Sequence, residues 1–369
     1  MSDRAVLLSK FLDKAGWGAA ERLALPGDAS TRRYIRLHQG ERTALLMDQP
    51  QSAEAPTAPA DAGPDERRAL GYNAVARLAG ADCGRFVAAA EFLSSLGLSA
   101  PHIYAADPTL GFVLMEDLGN ALFADVLNDG GSEVQLYAAA ADVLARLHAQ
   151  TAPAALHPDK PLFAYDETAL LAEIDLLTEW FFPVALKRQA SEDEVAEHRD
   201  LWRKALALVP AAPPVFVHRD YHAQNLLWLP ERAGAARVGL IDFQDAVAGA
   251  KAYDLISLTE DARRDVAPAL RHHTVAHYLD SMYRQGTPVD EAALAHEMAL
   301  YAAQRNVKIV GIFARLFRRD GKARYLDYLP RVWGYLGEDL AHPALQPLQS
   351  WYAKKIPGEA RDVPDGGGP

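Results

Sequence analysis

The sequence predicts an α+β fold of two lobes, a small N-terminal lobe built on a β-sheet and a larger, mainly helical C-terminal lobe. Three observations predict it. The chain has 369 residues, which is long for one compact core. Strand-like and helix-like patterns alternate in its first third, whereas long helical patterns dominate afterwards. The change falls at the connector Met115 to Gly119, which places the N-terminal lobe at residues 1–117 and the C-terminal lobe at residues 118–356.

The N-terminal lobe is expected to contain an amphipathic helix, two pairs of strands and a broken helical stretch. Polar and apolar residues alternate along the strand patterns, which is typical of half-buried strands. Residues 51–64 are rich in proline and alanine, which predicts a loop that is either a lid over the site or a slack connector. The helical patterns cover residues 1–17 and 65–96, and the strand patterns cover residues 33–37, 43–47, 101–105 and 112–115.

The C-terminal lobe is expected to consist of long helices with two short strands between them. In each long segment the apolar residues recur at the spacing of one helix face. The last residues, 357–369, are rich in glycine and proline, which predicts a disordered tail. The helices cover residues 134–150, 167–187, 192–209, 266–285, 291–318 and 329–340, and the strands cover residues 215–217 and 238–241.

The composition argues against several classes of partner. The formal net charge is −11 at pH 7, so the protein is expected to repel nucleic-acid phosphates and anionic membrane surfaces. No apolar run reaches the length of a membrane-spanning helix. The single cysteine, Cys83, allows no internal disulfide and fits a reducing compartment. These features predict a cytoplasmic enzyme.

The strongest functional signal lies around two aspartates that each follow an apolar strand, Asp220 and Asp242. Asn225 comes five positions after Asp220. Phosphoryl transfer needs one carboxylate to orient the attacking hydroxyl and accept its proton, and hard oxygen ligands to hold Mg²⁺ against the phosphates. Asp220 is therefore the candidate catalytic base, and Asn225 and Asp242 are the candidate ligands of Mg²⁺. A lone aspartate would more simply cap a turn, but the three residues together favour catalysis.

The segments His218–Asp220 and Asp242–Phe243, together with Asn225, resemble the aminoglycoside phosphotransferase and choline kinase group, whose members are distant relatives of the protein kinases. The resemblance covers residues 7–352. It implies a bilobal protein-kinase-like fold, ATP as the co-substrate and Mg²⁺ as the cofactor.

Three further segments are similar to one subgroup, the anomeric amino-sugar kinases of bacterial cell-wall recycling. They are residues 27–34, 241–246 and 311–322. Generic phosphoryl transfer does not require these segments, so they are more specific than the catalytic motif. The resemblance implies that the acceptor is an amino sugar, N-acetylmuramate or N-acetylglucosamine, and that it is phosphorylated on its C1 hydroxyl.

Two segments are candidates for binding the nucleotide. The resemblance implies that the connector binds adenine through backbone groups of Glu116 and Leu118. The small-residue turn at 27–31 can cradle phosphates with its backbone N–H groups and hydroxyls, although an ordinary hairpin turn is an equal interpretation. The candidates in and beside this turn are Asp28, Ser30, Thr31 and Arg33.

One strand departs from the wider group. Met47 stands where most relatives carry a lysine that pairs with the phosphates, and Glu91 is the candidate for the glutamate that usually partners that lysine. Either one of Arg32, Arg33 and Arg36 replaces the lost charge, or ATP binding is impaired. Replacement is favoured because the catalytic and metal-binding candidates are all present.

Three residues are candidates for binding the acceptor. His222 and Asp245 lie beside the reactive groups in the sequence and can hydrogen-bond sugar hydroxyls, although His222 could equally bond its own loop. Arg305 shares a predicted helix face with Lys308 and can bind the lactyl carboxylate of muramate, unless it forms an internal salt bridge. Three functions stay open: an amino-sugar 1-kinase, a kinase of another hydroxylated molecule (an aminoglycoside, a choline-like amine or homoserine), and a nucleotide-binding protein without turnover.

Overall fold

The computed structural model describes residues 3–26, 32–50 and 56–362. The chain divides into two compact units. The first comprises Met1–Ala164 and Phe216–Ala248, and the second comprises Tyr165–Val215 and Gly249–Pro369. The predicted lobe boundary at residue 117 falls inside the first unit, so a division at that point stays a prediction. Within the described ranges, no helix combines the length and the apolar character that a membrane crossing requires.

The first unit contains a five-stranded antiparallel sheet in the order β1-β2-β3-β5-β4. The four predicted strands are confirmed. The structure adds a short exposed strand, β1, whose residues lack the polar and apolar alternation that marks a strand in a sequence. The strands are β1 Glu21–Ala24, β2 Arg33–Gln39, β3 Arg42–Asp48, β4 Ile103–Asp107 and β5 Phe112–Met115.

Helix α1, Asp3–Lys14, packs against this sheet. Its buried residues Leu8 and Leu12 lie one turn apart and share a core with Phe112 and Leu114 of β5. The pleat of a strand sends alternate side chains to the same face, which is why Phe112 and Leu114 lie together. Burial of each such side chain stabilises the fold by about 1.5–3 kcal/mol. The predicted N-terminal helix is thereby confirmed.

Further helices of the first unit follow the loop predicted at 51–64. Residues 51–55 lie outside the described residues, and residues 56–63 are irregular. The break in the predicted helical stretch falls at residues 76–82. The Asp82 side chain then caps the next helix by accepting a bond from Gly84 N at 3.0 Å. The helices are α2 Pro64–Leu70, α3 Tyr72–Val75, α4 Cys83–Ser95, α5 Phe123–Asn128 and α6 Glu133–His148.

Short strands form three two-stranded sheets in the described parts of the chain. Strands β9 and β10 belong to the first unit and pair antiparallel, with Leu226 opposite Leu240. The two short strands predicted from the sequence are confirmed as β8 and β10. The strands are β6 Ala155–His157, β7 Lys160–Pro161, β8 Val215–Val217, β9 Leu226–Trp228, β10 Val238–Leu240 and β11 Val247–Gly249.

The second unit is helical, and its longest helix, α11, packs against α7, α9 and α12. The predicted long helices of this unit are present, and the structure adds α9 and α13, which the sequence analysis did not predict. A 3₁₀ turn, Gly358–Ala360, lies in the predicted tail, whose residues 363–369 lie outside the described residues. The helices are α7 Glu167–Leu176, α8 Glu192–Leu206, α9 Ala252–Thr259, α10 Pro268–Arg284, α11 Glu291–Asp320, α12 Leu329–Asp339 and α13 Gln346–Lys355.

The helix predicted at 167–187 changes its hydrogen-bonding pattern halfway along. Helix α7 ends at Leu176, and Leu177–Leu186 continue as a π-helix that contains Pro183. Proline has no backbone N–H and its ring crowds the preceding turn, which opposes a regular α-helix here. Gly311 of α11 lies against the transition, because a Cβ on Gly311 would be 2.5 Å from the backbone carbonyl carbon of Leu176.

Gly311→Ala is expected to destabilise the protein, because the added methyl group would overlap the backbone of Leu176. Overpacking of this kind costs about 1–3 kcal/mol of unfolding free energy. The matched control is Gly334→Ala, since Gly334 lies exposed on α12 and an added Cβ would meet no atom within 4 Å. The control should gain about 0.5–1 kcal/mol, because alanine is the better helix former. Urea unfolding followed by circular dichroism measures both variants, and equal effects would refute the close contact.

Candidate active site

The three residues predicted to carry the chemistry lie on neighbouring turns of the first unit. Beyond the pair formed by β9 and β10, Ile241 N donates a hydrogen bond to Asn225 O at 3.2 Å. Asn225 and Asp242 therefore come together at the same end of one antiparallel ladder, although they are 17 positions apart in the sequence.

Asn225 also holds the turn that carries Asp220. Its side-chain nitrogen donates to Asp220 O at 2.9 Å. Two backbone bonds close the turn, from His222 N to Asp220 O at 3.1 Å and from Asn225 N to His222 O at 2.8 Å. Because Nδ2 of Asn225 faces the backbone, its Oδ1 is the atom left to meet a ligand. The structure thus brings Asp220 and Asn225 together.

Asp242 has a left-handed backbone with φ 65°, and Arg219 has one with φ 76°. This conformation costs a residue with a side chain about 1–2 kcal/mol, so surrounding contacts have to stabilise it. Arg219 Nη1 donates to Ala76 O at 3.0 Å. The Asp242 carboxylate accepts bonds from Arg32 Nη1 at 2.9 Å and from Gln244 Nε2 at 3.0 Å. The Asp242 side chain is nevertheless 40% exposed, so it can reach a ligand.

His218 is a fully buried ring near both carboxylates. It packs edge-on against Tyr221 and Phe243, with ring centres 5.6 and 6.2 Å apart. Burial lowers the pKa of His218, and the negative charges of Asp220 and Asp242 only partly oppose this shift. His218 therefore stays uncharged at neutral pH and contributes packing. Both carboxylates lie close enough to influence its pKa.

Asp245 and His222, which were predicted to contact the sugar, have partners inside the first unit. Asp245 Oδ1 accepts a bond from Ala79 N at 2.6 Å, which joins the turn after β10 to the segment before α4. His222 Nδ1 accepts a bond from Gln224 N at 3.3 Å and so caps a short 3₁₀ turn. These bonds account for both residues structurally, and their contact with an acceptor stays a prediction.

Arg305 is buried within the second unit. Its guanidinium donates to Glu260 O at 3.2 Å and to Ser257 Oγ at 2.9 Å. Lys308, on the same helix face, bonds Glu173 at 3.1 Å. Lys308 thus forms an internal salt bridge of the kind expected as the alternative to ligand binding, whereas Arg305 bonds a carbonyl and a hydroxyl. Binding of an acceptor carboxylate by Arg305 stays a prediction.

The residues predicted to bind phosphates are only partly described. Arg33 is exposed at the start of β2, and Glu91 is exposed on α4. Met47 is fully buried on β3, directly opposite Tyr34 of β2. The sequence leaves three arginines as possible substitutes for the missing lysine. In the structure, Arg32 contacts Asp242. Three predicted residues lie outside the described residues: Asp28, Ser30 and Thr31.

Two arginines hold the connector that was predicted to bind adenine. Arg36 Nε donates to Asp117 Oδ2 at 2.5 Å, and its Nη2 donates to Asp117 Oδ1 at 3.1 Å. Arg232 Nη2 donates to Glu116 Oε1 at 2.5 Å. Glu116 N is bonded to a neighbouring carbonyl, whereas no hydrogen bond of the Leu118 backbone occurs among the described residues. Adenine binding by Glu116 and Leu118 stays a prediction, and Arg36 is engaged at the connector.

The donor set around Asn225 and Asp242 fits Mg²⁺. Both residues offer hard oxygen atoms, and Mg²⁺ usually takes one or two protein oxygens and completes its shell with water and phosphate. Across the described ranges no cluster of three or more His, Cys, Asp or Glu side chains could hold a metal ion.

Comparison with known proteins gives three consistent results. Residues 21–291 match the phosphotransferase enzyme family. The chain is 44% identical over 366 residues to the N-acetylmuramate/N-acetylglucosamine kinase of Caulobacter vibrioides, covering 98% of this chain and 99% of that protein. It also resembles choline kinase LicA from Streptococcus pneumoniae, with a TM-score of 0.56 and 14% identity over 95% of this chain and 100% of that one.

An ADP-bound aminoglycoside phosphotransferase, APH(2'')-Ib, has a similar fold. The TM-score is 0.53 at 15% identity, and the match covers 90% of this chain and 96% of that one. These likenesses confirm the predicted bilobal α+β fold of the protein-kinase type. They also confirm the resemblance to aminoglycoside phosphotransferases, choline kinases and the amino-sugar kinase subgroup.

The pair between Arg36 and Asp117 is expected to stabilise the connector measurably. Both side chains are largely buried, at 14% and 8% exposure, and they share two hydrogen bonds. A double-mutant cycle with Arg36→Ala, Asp117→Ala and the double variant should give a coupling free energy of about 1–3 kcal/mol. Urea unfolding measures it. The exposed pair Arg203–Glu167 is the control and should couple by less than about 1 kcal/mol. Additive effects at Arg36 and Asp117 would show that the pair does not hold the connector.

Proposed function

Because the chain belongs to the phosphotransferase enzyme family, we propose that it transfers the γ-phosphoryl group of ATP to the C1 hydroxyl of N-acetylmuramate, N-acetylglucosamine or both. The product is the sugar 1-phosphate, and the proposed setting is peptidoglycan recycling in the cytoplasm. The name of the Caulobacter relative supports the choice of sugars, since the two chains match over nearly their whole lengths. The ADP bound to APH(2'')-Ib supports ATP as the donor.

The observation that carries the proposal is the chain of bonds through Asn225. Its backbone oxygen accepts from Ile241 N at 3.2 Å, and its amide donates to Asp220 O at 2.9 Å. One residue thus ties the segment of the proposed base to that of the proposed second metal ligand. This arrangement supports phosphoryl transfer, in which the protein mainly positions groups and neutralises charge.

In the proposed reaction, the Asp220 carboxylate takes the proton of the anomeric hydroxyl. That hydroxyl is already somewhat acidic, because the ring oxygen withdraws electrons from C1. A bond forms between the sugar O1 and the γ-phosphorus while the bond to the leaving ADP oxygen breaks. Asn225 Oδ1 and the Asp242 carboxylate would hold Mg²⁺, which would supply positive charge against the phosphates. The backbone bonds of the turn keep Asp220 in place before substrate arrives.

Radiolabelled ATP with each candidate acceptor tests the function. Label should appear on N-acetylmuramate or N-acetylglucosamine, and phosphorus NMR should locate it on C1. The matched control is the methyl glycoside of N-acetylglucosamine, which lacks the C1 hydroxyl and should accept nothing. Transfer only to an aminoglycoside, a choline-like amine or homoserine would keep the chemistry and overturn the acceptor. ATP binding without transfer to any acceptor would overturn the kinase activity itself.

Asp220→Asn is expected to retain ATP binding and to lower kcat by about 10²–10⁴-fold, because the amide cannot accept the proton. The measurement pairs steady-state turnover with a direct ATP titration. Asp129→Asn, at an exposed aspartate beyond α5, is the matched control and should leave turnover unchanged. Near-normal turnover of Asp220→Asn would refute its assignment as the base.

A further inference from the structure

Arg32 contacts the carboxylate that is proposed to hold the metal ion. Its Nη1 lies 2.9 Å from Asp242 Oδ1, the same oxygen that accepts a bond from Gln244 Nε2. The Arg32 side chain is only 11% exposed, while that of Asp242 is 40% exposed. The guanidinium is therefore held on the protein side of the pair, and the carboxylate keeps an open side.

The surroundings keep Arg32 charged. Burial lowers its pKa, but the charges of Asp242 and Asp245 and a hydrogen bond with Tyr34 outweigh this, so the net shift of the pKa is upward. The Tyr34 hydroxyl in turn lies 3.7 Å from Met47 Sδ. Tyr34 and Met47 are direct partners across β2 and β3. A continuous row of contacts thus runs from Met47 through Tyr34 and Arg32 to Asp242.

A metal ion and Arg32 compete for the carboxylate of Asp242. When a divalent cation takes the carboxylate, the charge that neutralised the guanidinium is lost, and two positive groups lie a few ångströms apart in a partly buried site. Like charges at that distance repel strongly where water is largely excluded. The triphosphate of the nucleotide is the anion that the proposed reaction brings to this place. A planar guanidinium is well suited to bind phosphate oxygens.

We propose that Arg32 neutralises Asp242 in the nucleotide-free enzyme and transfers to the phosphates of the nucleotide when the metal ion binds. Arg32 then supplies, from the position directly before β2, the positive charge that Met47 on β3 does not carry. The inference rests on the proposed function for the identity of the anion, but the competition at Asp242 requires neither a sugar nor turnover.

The proposal predicts opposite effects on two ligands in one variant. Arg32→Ala should bind Mn²⁺ roughly tenfold more tightly in the absence of nucleotide, because a competing positive charge is removed. The same variant should bind ATP with Mg²⁺ roughly tenfold or more weakly, because a charged contact to phosphate is lost. Electron paramagnetic resonance follows free Mn²⁺, and a fluorescent ATP analogue follows nucleotide binding without an acceptor.

Three further variants locate the effect. Asp242→Asn should abolish the tight Mn²⁺ binding, both alone and combined with Arg32→Ala, which places the ion at Asp242. Arg32→Lys keeps a positive charge and should leave Mn²⁺ affinity within about threefold of the parent protein. Arg22→Ala removes an exposed arginine from β1 of the same sheet and should change neither affinity. If Arg32→Ala does not fold, Arg32→Gln replaces it in the same experiments.

Unchanged or weaker Mn²⁺ binding in Arg32→Ala would overturn the competition at Asp242. Unchanged ATP affinity would overturn the transfer to phosphate. If Arg32 had only a structural role, its removal would weaken the binding of both Mn²⁺ and ATP. Failure of the sugar assay leaves these binding results intact, so the failure of the proposed function and that of this inference are distinguishable.

Discussion

The backbone bond from Ile241 to Asn225 is the constraint on which the rest of the site depends. Strands β9 and β10 are three residues each, so the register of this short ladder decides which residues follow its end. A shift of one residue would turn the side chain of Asp242 to the opposite face. Asn225 in turn fixes the position of Asp220, because its side-chain amide donates a hydrogen bond to the backbone oxygen of Asp220.

Backbone strain at the site is offset by contacts with one neighbouring segment. Arg219 and Asp242 both adopt left-handed conformations that residues with side chains avoid. Arg219 donates to Ala76 O, and Ala79 N donates to Asp245, so bonds run in both directions between the residues before α4 and the two turns of the site. The strained residues are thereby fixed in advance, which is typical of groups that must not reorganise during a reaction.

Asp220 and Asp242 each follow a short apolar stretch, a local pattern that the sequence shows without knowledge of tertiary contacts, and the structure has β8 and β10 at these places. The catalytic and metal-binding roles of the residues stay predictions. The sequence could not give the register of the hairpin formed by β2 and β3. A five-residue turn at 38–42 would pair Arg33 with Met47, whereas the observed turn at residues 40–41 pairs Tyr34 with Met47. A one-residue difference exchanges the two faces of a strand. The link from Met47 through Tyr34 to Arg32 was therefore not visible in the sequence.

The charge of an arginine on a helix or strand also indicates little about its function until its hydrogen-bond partner is known. Arg305 and Arg32 are both largely buried and both make hydrogen bonds. The partners of Arg305 are a carbonyl and a hydroxyl in the same helical unit, and these neutral groups give a ligand no cause to displace the guanidinium. The partner of Arg32 is the half-exposed carboxylate of Asp242, which lies beside Asn225. A cation can bind this carboxylate in place of Arg32. Removing that partner leaves a buried charge that must find another anion. The case for a functional arginine at position 32 thus comes from what it is bonded to, since its charge and burial alone would fit either residue.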